Sequence, residues 1–312
     1  MKSCKAGLCV LLFSLFSAAA FALPLGGSSH SVIPSDVQQI ISVDYRALKN
    51  SDTAMAMKQQ LQPPALKQFE DALKGVGIDA EKDVDQLTFA SYRVNKQVRT
   101  IGIAQGDIST AKVLKRIKLN KIKAVKYHEA DVYPMSGGMQ MVFLDDGSLL
   151  FGDIAAVKGA LDARDGYTST LDANSQIVDM IGAVDSGTVW SVLDQEGTQN
   201  MMRSALGDAS KLADYDTVKK RLLGSRYTMN FSNGVKFDLD VVTSDSVTAA
   251  TLSSLVKAGM LYKKVSASPV EKVALDSVTV DSDSSDLQFH FKTDDKQFQS
   301  LLHSDLFAAV SK

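Results

Sequence analysis

The chain holds two cysteines in 312 residues, Cys4 and Cys9, and both fall within its first 22 positions. From residue 23 onward there is no thiol, which excludes disulfides and the usual thiolate zinc sets. Proline (6) and tryptophan (1) are scarce as well. The single long apolar run, at the N-terminus, falls short of the ~20 apolar residues that a spanning helix needs. Neither sign of charge dominates, with 34 Lys and Arg against 36 Asp and Glu. That balance excludes a dedicated nucleic-acid binder. Phosphate loops, dinucleotide fingerprints and nucleophile elbows are missing too, because no Gly-x-Gly-x-x-Gly or Gly-x-Ser-x-Gly occurs in context.

What is present begins with an export signal. Lys2 and Lys5 precede an apolar stretch from Gly7 to Ala20, which closes on Ala20-Phe21-Ala22, a small-x-small cleavage pattern. Cleavage near Ala22 is expected to leave a periplasmic or secreted protein starting at Leu23 and without either cysteine. Cys9 follows Leu8, where a lipid-modification site wants a small residue, so no lipid anchor is expected. Losing Lys2 and Lys5 leaves 32 basic and 36 acidic residues, a formal charge of −4. An exported chain without disulfides must rest on an ordinary core, and its 45% hydrophobic content suits one.

Residues 23–35 are rich in Gly, Ser and Pro and read as a flexible lead-in. A strand is predicted over 37–43. A helical region over 45–73 follows, broken at Pro63-Pro64 and ended by Gly75 and Gly77. A hairpin over 87–103 turns at Asn95-Lys96, and a helix capped by Asp107 or Ser109 runs to about Leu119. Four short strands come next within 124–152, separated by turns that include Gly137-Gly138 and Asp145-Asp146-Gly147, and then a helix over 154–161. The order then repeats. A strand is predicted over 188–193, helices over 198–205 and 217–222, and a hairpin around Ser232-Asn233-Gly234. A helix from Asp245 to about Tyr262, a hairpin pairing 272–280 with 287–291, and a last helix to Val310 complete the chain. Residues 88–115 match 227–254 in pattern: hairpin, polar turn, then an Asp-Ser/Thr helix start.

Val235, Phe237, Leu239 and Val241 alternate with Lys236, Asp238 and Asp240, the pattern of a strand with one packed and one wet face. The fold class is therefore α+β: two similar halves, 36–184 and 185–312, each an antiparallel sheet with helices packed on one face. Val43–Leu48, Gly77–Asp85 and Phe143–Gly152 with Ala155-Ala156-Val157 carry a resemblance. They look like a family of uncharacterised exported bacterial proteins that also carry two α+β halves behind a signal peptide. The resemblance implies the architecture and no activity.

Four histidines, His30, His128, His290 and His303, have no ligand spacing, so no metal and no cofactor are expected. The run Asp281-Ser282-Asp283-Ser284-Ser285-Asp286 suggests a calcium loop. It has Asp286 where an EF-hand needs glycine and Lys292 where it needs glutamate, and it reads as a hairpin turn. The one charge anomaly is 112–126, where Lys112, Lys115, Arg116, Lys118, Lys121, Lys123 and Lys126 occur without an acid. Such a cluster is a candidate contact for an anionic surface, weakly for anionic membranes. It equally suits a solvated helix face beside a protected edge strand. The function expected is non-enzymatic binding of an envelope protein or ligand. The alternatives are a hydrolase whose site is assembled from distant residues, or a carrier of a lipid or small apolar ligand.

Overall fold

The structure, a computed structural model, describes residues 24–61, 64–206 and 215–304. The expected signal segment, and the last helix beyond residue 304, lie outside the described residues. The first part of the chain runs α1 (Gly27–Val32), β1 (Val37–Asp44), α2 (Tyr45–Leu48), α3 (Asp52–Leu61), α4 (Pro64–Val76), α5 (Ala80–Asp83), β2 (Val84–Val94), β3 (Gln97–Gly106), α6 (Thr110–Leu119), β4 (Val125–Tyr127), β5 (Ala130–Pro134), β6 (Gln140–Asp145), β7 (Ser148–Gly152), α7 (Ile154–Arg164) and α8 (Ser175–Gly182). The second runs β8 (Val189–Leu193), α9 (Gln195–Leu206), α10 (Tyr215–Val218), β9 (Leu222–Asn230), β10 (Val235–Thr243), α11 (Ser246–Ser266), α12 (Pro269–Asp276), β11 (Val278–Asp283), β12 (Asp286–Thr293) and α13 (Asp295–Leu302).

All strands pair antiparallel in one 12-stranded sheet, ordered β11-β12-β10-β9-β8-β1-β2-β3-β7-β6-β5-β4. β1 and β8 form the pair that joins the two halves, with Ile41 opposite Ser191. Outward from β1 come β2, β3, β7 and β6. Outward from β8 come β9, β10, β12 and β11, the same sequence of first strand, hairpin and second hairpin. β5 and β4 extend the first side only. The two inner hairpins turn at Asn95-Lys96 (φ 50° and 65°) and Asn233-Gly234 (φ 58° and 101°), a pair of positive φ values that matches the strand twist. At Gly234 only glycine fits, since a Cβ would lie 2.2 Å from the Thr293 carbonyl oxygen.

The α+β class read from the sequence is the observed one. Two details are decided by packing. The halves share one sheet, and the first half carries helices on both of its faces. Ile40, Ala90, Ile101, Ile103 and Leu150 pack on the back face with residues of α1, α7 and α8. Leu87, Phe89, Leu149 and Phe151 pack on the front face with α4 and α6. Every residue of β7 is buried, as its unbroken apolar run Leu149-Leu150-Phe151 requires. The alternation of β10 holds in the second half. There α9, α11, α12 and α13 cover the front face, and beyond β8 the back face is left mostly to polar side chains.

Residues 27–32, expected to be a flexible lead-in, form α1. Leu25, Val32 and Ile33 are buried in the back-face core, and Leu171 N donates to Ile33 O at 2.7 Å. Burial outweighs the weak helical propensity of Gly-Ser-Ser. Residues 272–276, expected to be strand, belong to α12. Pro269 opens that helix, and Ser268 and Glu271 close a capping box, so the strand starts at Val278. The helix expected over 217–222 stops earlier, because Leu222 is already the first residue of β9.

Candidate binding surfaces

The lysine-rich segment lies at the β4 end of the sheet. Val113 and Ile117 anchor α6 in the front-face core. Lys112, Lys115 and Leu119 therefore lie along the stripe that faces away from it. The helix ends in a Schellman motif: Ile122 N donates to Ile117 O (3.1 Å) and Lys121 N to Lys118 O (3.1 Å). Lys121 holds the left-handed position at φ 55°, where glycine is favoured by roughly 1 kcal/mol or more. Lys112, Lys115, Arg116, Lys118, Lys121, Lys123 and Lys126 are all exposed. Lys126 pairs with Asp131 at 3.1 Å. The other six have no ion pair among the described residues. Two large apolar side chains stand among them, Leu119 at 72% and Val125 at 68% exposure.

The second surface is the back face of β9, β10 and β12. Arg226 donates to Asp240 Oδ2 at 3.1 Å and reaches Asp286 Oδ2 at 3.5 Å. Asp238 accepts from Lys236 at 2.9 Å and bonds His290 Nδ1 at 2.7 Å. Burial raises the Asp286 carboxyl above the usual aspartate value; Arg226 opposes that shift, and Asp240 and Asp283 reinforce it. For Asp238 burial works against ionisation, but the bonds from Lys236 and His290 win and hold its carboxyl low. This face exists because α7 crosses to the back of the first half, whereas α13 stays on the front of the second.

No catalytic constellation converges on either surface. His30, His128 and His290 are bonded to Asp172, Asp162 and Asp238 respectively. Among the described residues no serine or threonine hydroxyl is bonded to any of the three. His128 also stacks on Tyr167, with ring centroids 4.4 Å apart, and shares Asp162 with the Tyr127 hydroxyl. That cluster ties the β4–β5 turn to α7. Among the described residues no group of His, Cys, Asp or Glu is placed to hold a metal ion. No helix among them is long and apolar enough to cross a membrane. The suspected calcium loop is the tight turn between β11 and β12, where Asp283 faces Asp286.

No protein-family model and no curated protein sequence matches the chain. Among solved structures it is similar to TP0453, a Treponema protein. Crystal form I of TP0453 aligns over 91% of this chain and 99% of its own, at 9% identity and a TM-score of 0.49. Form III aligns over 88% and 96%, at 7% identity and a TM-score of 0.47. The fold described above rests on the strand pairing itself.

The basic cluster was legible as a run without acids. Its two apolar companions, Leu119 and Val125, were not singled out in the sequence, although the spacing from Val113 and Ile117 already puts Leu119 on the outward stripe of α6. The Arg226–Asp240–Asp286 network was hidden for another reason. Its members are up to 60 residues apart, and only the register of β9, β10 and β12 brings them together.

Proposed function

We propose that this is an exported, non-enzymatic binding protein that meets an anionic surface through the basic end of its sheet. The carrying observation is the set of six exposed cations with no acidic partner among the described residues, clustered on a chain whose overall charge is slightly negative. A solvated helix face kept only for solubility mixes both signs. This one does not, and it retains a lysine at the strained φ of residue 121. Leu119 and Val125 add apolar contact at the same end. The repeated strand order supports reading 36–184 and 185–312 as copies of one ancestral unit, of which only the first acquired the basic end. The hydrolase alternative needs a hydroxyl on one of the histidine–aspartate pairs, and the carrier alternative needs an enclosed apolar cavity.

Phosphatidylglycerol vesicles test the proposal. Binding at low salt should fade as ionic strength approaches physiological values, where exposed charges are screened over about 8 Å. Each lysine near a charged membrane contributes about 1 kcal/mol. The variant with Lys115, Lys118, Lys121 and Lys123 all changed to Gln should therefore lose nearly all binding. Its unfolding midpoint should stay close to the parent's, because exposed substitutions usually change stability by under about 0.5 kcal/mol. Undiminished vesicle binding by that variant would overturn the assignment.

A further inference from the structure

The two ends of the sheet are not alike. At one end, β4 is a three-residue strand carrying Lys126 and preceded by Lys121 and Lys123, a short edge guarded by charge. At the other, β11 is six residues long, contains neither lysine nor proline but two aspartates, Asp281 and Asp283, and among the described residues pairs on one side only. The repeated topology shows what such an edge can carry. β11 occupies the place of β6, since each is the first strand of the outer hairpin and each lies outside the hairpin partner that follows it and the inner hairpin that precedes it. The free side of β6 is covered by an antiparallel strand, β5, with Tyr133 opposite Met141. In the second half α12 stands in the sequence where the β4–β5 hairpin stands in the first, and among the described residues the matching side of β11 has no strand.

A groove of about 500 Å³ runs along that side. Its lining includes the four consecutive residues from Val278 to Asp281, four of the strand's six. Met260, Leu261 and Leu275 supply its apolar wall. From α11, Leu261 in that wall is 68% exposed, and Val265, one turn further along the helix and outside the lining, is 82% exposed. Rim charges are already matched: Lys257 lies 3.9 Å from Asp281, and Lys264 pairs with Asp276. The groove thus has no net charge to satisfy. It offers a backbone edge and apolar side-chain sites.

We propose that β11 accepts an extended peptide of alternating apolar residues from a partner protein as a thirteenth strand. Its main chain pairs with the β11 edge, and its apolar side chains enter the groove beside α11. This site is distinct from the basic end and does not depend on it. The probe is a fluorescent peptide, acetyl-Lys-Val-Thr-Val-Thr-Val-Lys-amide, titrated into the purified protein. Saturable binding is expected below about 1 mM. The same peptide N-methylated along its backbone cannot donate to the edge and should bind at least about tenfold more weakly. The exposed double substitution Leu261→Asp with Val265→Asp should weaken the unmodified peptide by a similar factor. Its circular dichroism and unfolding midpoint serve as the folding control. Equal binding of the methylated peptide, undiminished binding by the double variant, or no saturation would each overturn the proposal. So would a concentration-dependent dimer in sedimentation that excludes the peptide, which would assign the edge to a second copy of the chain.

Discussion

Replacing Gly102 by alanine is expected to cost about 3 kcal/mol or more of folding stability, although it adds one methyl group. Gly102 lies opposite Phe151 in the β3–β7 pair. A Cβ there would sit 1.8 Å from Phe151 Cζ and 2.2 Å from Cε2. The ring cannot step aside. It stacks on Phe69 with centroids 3.6 Å apart and planes 10° from parallel, and Phe89 meets it edge-on at 6.1 Å. Overpacking of a filled core costs typically 1–3 kcal/mol and sometimes more, and here the clash is with the middle of the front-face core. The double variant Gly102→Ala with Phe151→Leu should recover part of the loss, because the smaller side chain vacates the site. Gly75→Ala is the counter-test. It lies within α4 with nothing within 4 Å of the added methyl, so it should gain stability, by roughly 0.5–1 kcal/mol. Urea unfolding followed by circular dichroism reads all three. A Gly102→Ala midpoint equal to the parent's would refute the packing account.

Trp190→Ala should be comparably severe, about 3–5 kcal/mol for a fully buried aromatic. Trp190 is 1% exposed and sits in β8, opposite Ser42 of β1 on one side and Thr228 of β9 on the other. Its ring belongs to the same back-face core as Ile40 of β1 and Ile177, Met180 and Ile181 of α8. It thus stands at the junction of the two halves, and its loss should weaken both together. As the only tryptophan, it also reports on that junction in the parent protein. Its emission should shift to the red on unfolding at the same urea concentration at which circular dichroism falls, since coincident probes mark a single cooperative transition. Two separated transitions would show instead that the halves unfold independently despite the shared β1–β8 pair.

Much of the local grammar was legible because it depends on neighbours in sequence. Asn95-Lys96 and Asn233-Gly234 announce turns that need positive φ. Asp245 marks a helix start, and its side chain accepts from the Thr248 amide, whereas Ser109 caps α6 without a side-chain hydrogen bond. The seven cations of 112–126 stood out because no acid interrupts them. Lys121 added a feature the sequence did not announce, a lysine in the left-handed position that closes α6.

The sequence by itself determined the α+β class, most strand and helix positions, the repeated order and the basic cluster, since periodicity, capping and turn chemistry act over a few residues. Tertiary structure alone decided four things. It joined the two halves through β1 and β8 into one sheet, a pairing between segments about 150 residues apart that no local pattern encodes. It laid helices on both faces of the first half, where the continuous apolar run of β7 permits them, and left the polar back face of β9, β10 and β12 without one. It drew residues 27–32 into a helix, because burial of Val32 and Ile33 overrides weak propensity. And, among the described residues, it left β11 with no strand on one side, beside an apolar groove, because whether a strand ends a sheet depends on which other segments reach it.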